Sequence, residues 1–188
     1  MKGFKRKNQF LSLCGLNCGL CLMRLGKHCG GCGNGNQSCA IARCSLEQGD
    51  VEYCYECKEY PCEKYLHIDE YDSFITHLHQ KADLEKASKI GTENYNLEQK
   101  EKIEILNYLL ANYNNGRRKT FFCIAVNLLD LPDIREILRQ IGENNELSEA
   151  TEKERGLYVV KAFQDIADKR DIKLKLRKKQ IIACYIKC

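Results

Sequence analysis

The chain has 188 residues, 44% of them hydrophobic and 30% charged, with 30 Lys and Arg against 26 Asp and Glu for a formal net charge of +4. These values suit one soluble globular domain with a small appendage, and no stretch approaches the ~20 apolar residues that a membrane-crossing helix needs. The charge does not imply a basic, partner-seeking protein either, because it counts cysteine as neutral. Two zinc sites of four thiolates each would bring +4 to zero.

Residues 1–10 read as a basic lead-in, with Lys2, Lys5, Arg6 and Lys7 expected in water. The apolar run Phe10 to Met23 that follows is only loosely like a signal peptide. It holds three cysteines, Ser12 and Asn17, lacks a small-residue cleavage site, and has Leu13 where a lipoprotein wants a small residue before Cys14. The expected location is cytoplasmic, where thiols stay reduced and clustered cysteines signal metal rather than disulfides.

Residues 1–67 are expected to form a Cys-rich metal-binding module. Ten of the thirteen cysteines fall here: Cys14, Cys18, Cys21, Cys29, Cys32, Cys39, Cys44, Cys54, Cys57 and Cys62. Eight of thirteen glycines precede residue 36, so this part is loop-rich. Cys29/Cys32 and Cys54/Cys57 are C-x2-C pairs, and Cys18/Cys21 closes a C-x3-C-x2-C run. Such loops let two thiolates reach one ion at roughly 2.3 Å. All-thiolate ligation selects zinc or an iron–sulfur cluster over harder cations. Ten cysteines exceed the eight that two four-thiolate sites need, and the pairing stays open.

The expected cofactor is zinc, two ions, with an iron–sulfur cluster as the alternative. Radical S-adenosylmethionine enzymes share the C-x3-C-x2-C spacing, but Leu20 stands where their aromatic precedes the last cysteine, and the remaining chain looks helical. Ferredoxin spacing is absent, and neither isolated C-x2-C pair has the strand–helix–strand context of a thiol oxidoreductase. His28 and His67 flank the cysteines as lesser ligand candidates. Ser38 to Gln48 is expected to form a short helix carrying Cys39 and Cys44, stopped by Gly49. Pro61 is expected in the first turn of another.

Residues 68–188 are expected to form a helical bundle domain, giving a mainly α fold with about five helices packed on the irregular module. Phe74, Leu78, Ala82 and Leu84 mark a helix from about Asp72 to Lys89. Asn96 and Gln99 form a capping-box pattern before Ile103, Leu106, Leu110 and Tyr113, and Asn114-Asn115-Gly116 ends that helix. The run Phe121 to Leu129 reads as a buried helix, with Cys123 a small buried hydrophobe. Arg117, Arg118 and Lys119 before it would be tolerated best beside an anion or acidic group. Pro132 opens a helix with Ile134, Ile137, Leu138 and Ile141. Ser148 opens another, through Lys169, with Leu157, Val160, Phe163 and Ala167 inward. Ile172, Leu174 and Leu176 suggest an edge strand or extended tail, in which Cys184 and Cys188 are incidental.

The blocks Cys14-Gly-Leu-Asn-Cys18-x2-Cys21, Cys29-Gly-Gly-Cys32, Cys39-x-Ile41, Cys44 and Cys54-Tyr-Glu-Cys57-Lys-Glu-Tyr-Pro-Cys62-Glu-Lys resemble an uncharacterised prokaryotic cysteine-rich family, domain-of-unknown-function family 3795. Asn115 to Cys123, the helix after Ser148 and Leu174 to Arg177 extend the resemblance over nearly the whole chain. It implies a zinc-binding protein of bacterial or archaeal cytoplasm and brings no activity or catalytic residue. No nucleophile triad, carboxylate pair or phosphate loop stands out in the sequence. The leading expectation is a non-catalytic binding or adaptor protein, an enzyme being less favoured. Its partner would be protein or nucleic acid rather than membrane, with Tyr53, Tyr55, Tyr60 and Tyr65 as contact aromatics. An iron–sulfur redox protein and a zinc enzyme with an open ligand position are the alternatives.

Overall fold

A computed structural model describes residues 1–179; Cys184 and Cys188 lie outside the described residues. The chain is mainly helical, and among the described residues no strand forms. Two short helices, α1 (Leu22–Leu25) and α2 (Ala40–Glu47), lie in the Cys-rich part. Five longer ones follow: α3 (Gln80–Ile90), α4 (Thr92–Tyr113), α5 (Lys119–Leu128), α6 (Leu131–Glu143) and α7 (Glu152–Lys169). Among the described residues the total of seven exceeds the expected five or so because the cysteine-bearing loops contain helical turns of their own.

The largest core lies where α4, α5, α6 and α7 meet. Leu106 and Leu109 of α4, Phe122, Ala125 and Val126 of α5, Ile134 and Ile137 of α6, and Val159 and Phe163 of α7 are all shut off from solvent. α5 is largely apolar because it runs through the middle, burying every residue from Phe122 to Leu128, the polar Asn127 included. Gly156 allows the close approach of α7. A Cβ there would stand 2.8 Å from the Tyr113 carbonyl oxygen and 2.8 Å from Arg118 Nη1.

Three helix starts differ from the sequence reading, each for a local reason. α3 begins at Gln80 rather than near Asp72. The Asp72 carboxylate accepts from the His77 amide at 2.7 Å and from the amide and guanidinium of Arg177 at 2.6 and 2.8 Å, so it pins the chain's far end. Phe74, Leu78 and Ala82 are consequently exposed, and α3 turns Leu84 and Ala87 inward. α4 begins at Thr92, behind Gly91 at φ +84°, which places Asn96 inside the helix rather than at a cap. α7 is opened by Thr151, whose hydroxyl accepts from the Glu154 amide at 3.3 Å while Glu154 accepts from the Thr151 amide at 2.9 Å. Ser148 ends a separate 3-10 turn.

The Cys-rich part has two small cores. Leu11, Tyr53 and Tyr65 pack on Leu84 and Ala87 of α3 and Tyr95 of α4. Phe4, Leu13 and Ala42 form the other, against Cys32, Cys39 and Cys54. The segment from Ile172 to Leu176 is irregular and bends at Lys175, with Ile172 and Leu174 half-buried against the bundle.

Phe163 is the ring on which Phe121 and Phe122 both pack edge-on, at 6.5 and 6.1 Å between centroids. Replacing it with alanine is expected to lower unfolding stability by about 3–5 kcal/mol, read as a shift of the urea midpoint.

Candidate metal centre

The Cys14–Cys18 loop is held by its own short bonds. Ser12 N–H donates to the Leu16 carbonyl at 2.8 Å, and the Leu16 amide returns to Ser12 Oγ at 2.8 Å. Ser12 Oγ also lies 3.3 Å from Cys14 Sγ. Gly15 (φ +98°) lies so close to α3 that a Cβ would fall 2.2 Å from the Gln80 carbonyl oxygen. Gln80 in turn donates to the Cys14 carbonyl at 3.1 Å. The Cys29–Cys32 knuckle aims the Gly31 amide at Cys29 Sγ, 3.4 Å away, and Gly35 leaves space for that sulfur, since a Cβ there would stand 2.2 Å from it. Cys39 caps α2 and accepts from the Ala42 amide at 3.5 Å.

The sulfurs fall into two groups. Cys44 on α2, Cys54 and Cys57 around the 3-10 turn Cys54–Glu56, and Cys62 at the start of the turn Glu63–Tyr65 line a single cleft with Tyr60 and Tyr65. Its free volume is about 30 Å³, space for one or two water-sized bodies. The other group surrounds Cys14. Cys14, Cys32, Cys21 and Cys29 act electrostatically on Cys18, and Cys14 and Cys39 act on Cys32. Burial is the main cause that raises the pKa values of Cys14, Cys18, Cys32 and Cys54, with neighbouring thiols adding to it. Cys32 is pushed up to about 11 and Cys54 to about 12, while Cys14 and Cys18 also move upward.

All eleven described cysteines are free thiols. Among the described residues, no three Cys, His, Asp or Glu side chains converge tightly enough to hold an ion as they stand. The fit to a soft cation is therefore one of chemistry rather than of closed geometry. Amide and hydroxyl donors point at sulfur, glycines leave room for it, and one cleft gathers four thiols. Cys21 is buried, and its thiol adds to the upward shifts of Cys123 on α5 and of Cys18. The two histidines stand apart from this chemistry: His28 is exposed, and His67 is exposed and pairs with Glu70.

One set of residues drew no attention in the sequence. Asn17, inside the first cysteine loop, is 2% exposed and is bound by three helices. Its amide nitrogen donates to Asp83 Oδ2 of α3 at 2.9 Å and to Asn127 Oδ1 of α5 at 3.0 Å, and its oxygen accepts from the Tyr95 hydroxyl of α4 at 2.9 Å. Buried Lys102 donates to the Asn127 carbonyl at 3.4 Å. Burial raises the Asp83 pKa and lowers that of Lys102, and each charge partly counters the effect on the other. No periodicity rule finds such a hub. Its only trace in the sequence is a set of polar residues at helix positions that turn out to face inward.

The tyrosines around the last knuckle also point inward rather than outward. Tyr53 and Tyr65 are buried, and Tyr55 reaches the Thr92 hydroxyl at 2.6 Å. Arg117 is exposed, as a loop residue in water would be, and Arg118 is half-buried against Gly156, with Asn114 Oδ1 accepting from the Arg118 amide at 2.8 Å.

Asn17→Ala is expected to cost at least about 1–3 kcal/mol in chemical denaturation, because it leaves several buried polar groups unpaired. Tyr95→Phe, which removes one hydroxyl, should cost about 1 kcal/mol. Cys123, 6% exposed and pushed up to about 11 by burial, should escape iodoacetamide in native protein at about pH 8 and react once the chain is unfolded. Comparison of the chain with protein-family models, curated proteins and solved structures finds no match.

Proposed function

We propose that the Cys-rich part is a metal-folded module with two structural zinc centres, and that the protein acts by binding a partner rather than by catalysis. The observation that carries this reading is the cleft that collects Cys44, Cys54, Cys57 and Cys62 from α2 and two 3-10 turns. Closed on an ion, these four thiols would form a four-sulfur donor set with no open position for water or substrate. Cys14, Cys18 and Cys32, with Cys29 or Cys39 as the fourth, make the second set. The resemblance to the uncharacterised cysteine-rich family supports the same reading.

In this role the metal supplies a rigid crosslink, and the residues do the rest. The raised thiols hold their protons without metal, so loading must release them, and affinity falls as pH falls. Chain energetics point the same way. The irregular stretch between Cys14 and Cys62 carries little apolar core, while ordering its backbone costs about 1–2 kcal/mol per residue. Structural zinc supplies about 10–16 kcal/mol per site in small metal-folded peptides. The thiol chemistry suits a reducing cytoplasm.

Element analysis of protein purified without oxygen tests the proposal. Two zinc per chain are expected, and a strong chelator should unfold the Cys-rich part. Cys57→Ser should retain one zinc, because it removes one donor from the cleft and leaves the other set intact. Iron with acid-labile sulfide and visible colour would replace the zinc reading with a cluster protein, and metal-free protein with the same stability would overturn both.

A further inference from the structure

Large apolar side chains left in water one at a time are ordinary on a protein surface, whereas a cluster of them marks a contact site. Of the nine that stand out among the described residues, Leu66, Tyr71, Phe74 and Leu78 fall within residues 66–78, and Phe74 is 62% exposed. This stretch ahead of α3 is irregular but firmly held. Its Ile75 and Thr76 are buried, and the His77 ring reaches the Ile68 carbonyl through Nδ1 at 3.0 Å and Ser73 Oγ through Nε2 at 3.0 Å. The exposed rings of Tyr71 and Phe74 are thus offered by a fixed backbone.

A basic segment runs antiparallel beside it. Lys179 Nζ lies 5.8 Å from the centre of the Tyr71 ring, the Asp72 amide donates to the Arg177 carbonyl at 2.9 Å, and Phe74 and Leu176 line one small cavity. Ile172 and Leu174 pack on the bundle, while Lys173, Lys175, Lys178 and Lys179 are exposed. The acids of the apolar stretch are engaged elsewhere. Asp69 pairs with Lys81 at 2.8 Å, Glu70 with His67, and Asp72 with Arg177 at 2.8 Å. Exposed lysines and exposed rings therefore share one edge of the protein.

Rings beside cations suit stacked bases on a phosphate backbone. Every base has a face for an aromatic ring, and each lysine replaces a condensed counterion at a phosphate. A duplex, whose bases already stack on one another, has no use for the rings. A bilayer surface wants a continuous apolar face, which Asp69, Glu70, Asp72, Ser73 and His77 interrupt here. We infer that this edge binds single-stranded nucleic acid, its bases on Phe74 and Tyr71 and its phosphates on Lys175, Lys178 and Lys179. Such binding rests on the partner-binding reading above and gives it a chemical class. It does not draw on zinc, since none of these residues is a candidate ligand.

The test is fluorescence anisotropy of a labelled oligo-uridine of about ten nucleotides, within the usual range of site sizes. It is titrated with full-length protein purified without oxygen and assayed for zinc. The wild type should bind, more weakly as salt rises. Phe74→Leu, which keeps an apolar side chain but removes the ring, should weaken binding on the order of 10-fold, and Phe74→Tyr should restore it. Lys178→Gln combined with Lys179→Gln should flatten the slope of log affinity on log salt by about 0.7 per lysine. These positions are exposed, so the fold should survive each change. A wild type that ignores the oligonucleotide, or binds it no better than a duplex of the same length, overturns the inference. If that protein instead sediments with phosphatidylserine vesicles, the edge belongs to a membrane. Unchanged affinity in Phe74→Leu, or an unchanged salt slope in the lysine double variant, also overturns it and leaves the partner-binding reading standing with another surface. A zinc-free protein that still binds through Phe74 supports the edge and refutes only the metal module.

Discussion

The carboxamide of Asn17 is where the irregular and helical parts of this protein are tied together. It is buried, so each of its polar atoms must find a partner inside the protein or incur the full cost of desolvation. It finds them on α3, α4 and α5 simultaneously, through Asp83, Tyr95 and Asn127. Those three helices can satisfy Asn17 only in one mutual arrangement, and Asn17 can reach them only if the loop between Cys14 and Cys18 has its tight shape. The Ser12–Leu16 bonds and the close seat of Gly15 on Gln80 give the loop that shape. The geometry of the first cysteines and the packing of the bundle are thus one constraint.

This coupling places the thiols between two environments. On one side they face glycines and amide donors, which accommodate sulfur and favour its thiolate form. On the other they lie close to apolar groups: Leu13 and Ala42 pack with Cys32, Cys39 and Cys54. Burial raises the pKa values of Cys14, Cys32 and Cys54, so these thiols hold their protons against their own hydrogen-bond donors. On the zinc reading, a soft cation would resolve that conflict by replacing protons with positive charge that need not leave as pH rises.

Much of the helical architecture was readable from the chain. The apolar run from Phe121 to Val126 and its continuation to Leu129 could be identified as a central helix because Asn127 alone in it is strongly polar, and α5 is buried from Phe122 to Leu128. Pro132 and Asp133 mark the first turn of α6, and its inward face of Ile134, Ile137 and Ile141 follows the helical period. Cys39 and Cys44 do sit on one short helix, with Cys39 as its cap. The misreadings arose where a long-range contact outweighed local pattern. Asp72 binds Arg177, 105 positions away, and this keeps the segment before Gln80 out of the helix. Asn96 has the chemistry of a cap, but burial of Tyr95 against Leu11 and Leu84 draws the helix start back to Thr92.

The sequence by itself determined the mainly helical class, the concentration of cysteine and glycine in the first third, and most of the inward faces. Those are properties of composition and of short-range period, and they survive in any compact arrangement. Only the tertiary structure decided that Cys44 shares a cleft with Cys54, Cys57 and Cys62, and that Asn17 and Arg6 are buried. The reason is physical. Whether a polar side chain is immersed in water or enclosed depends on which distant surfaces close over it, and spacing along the chain carries no record of that.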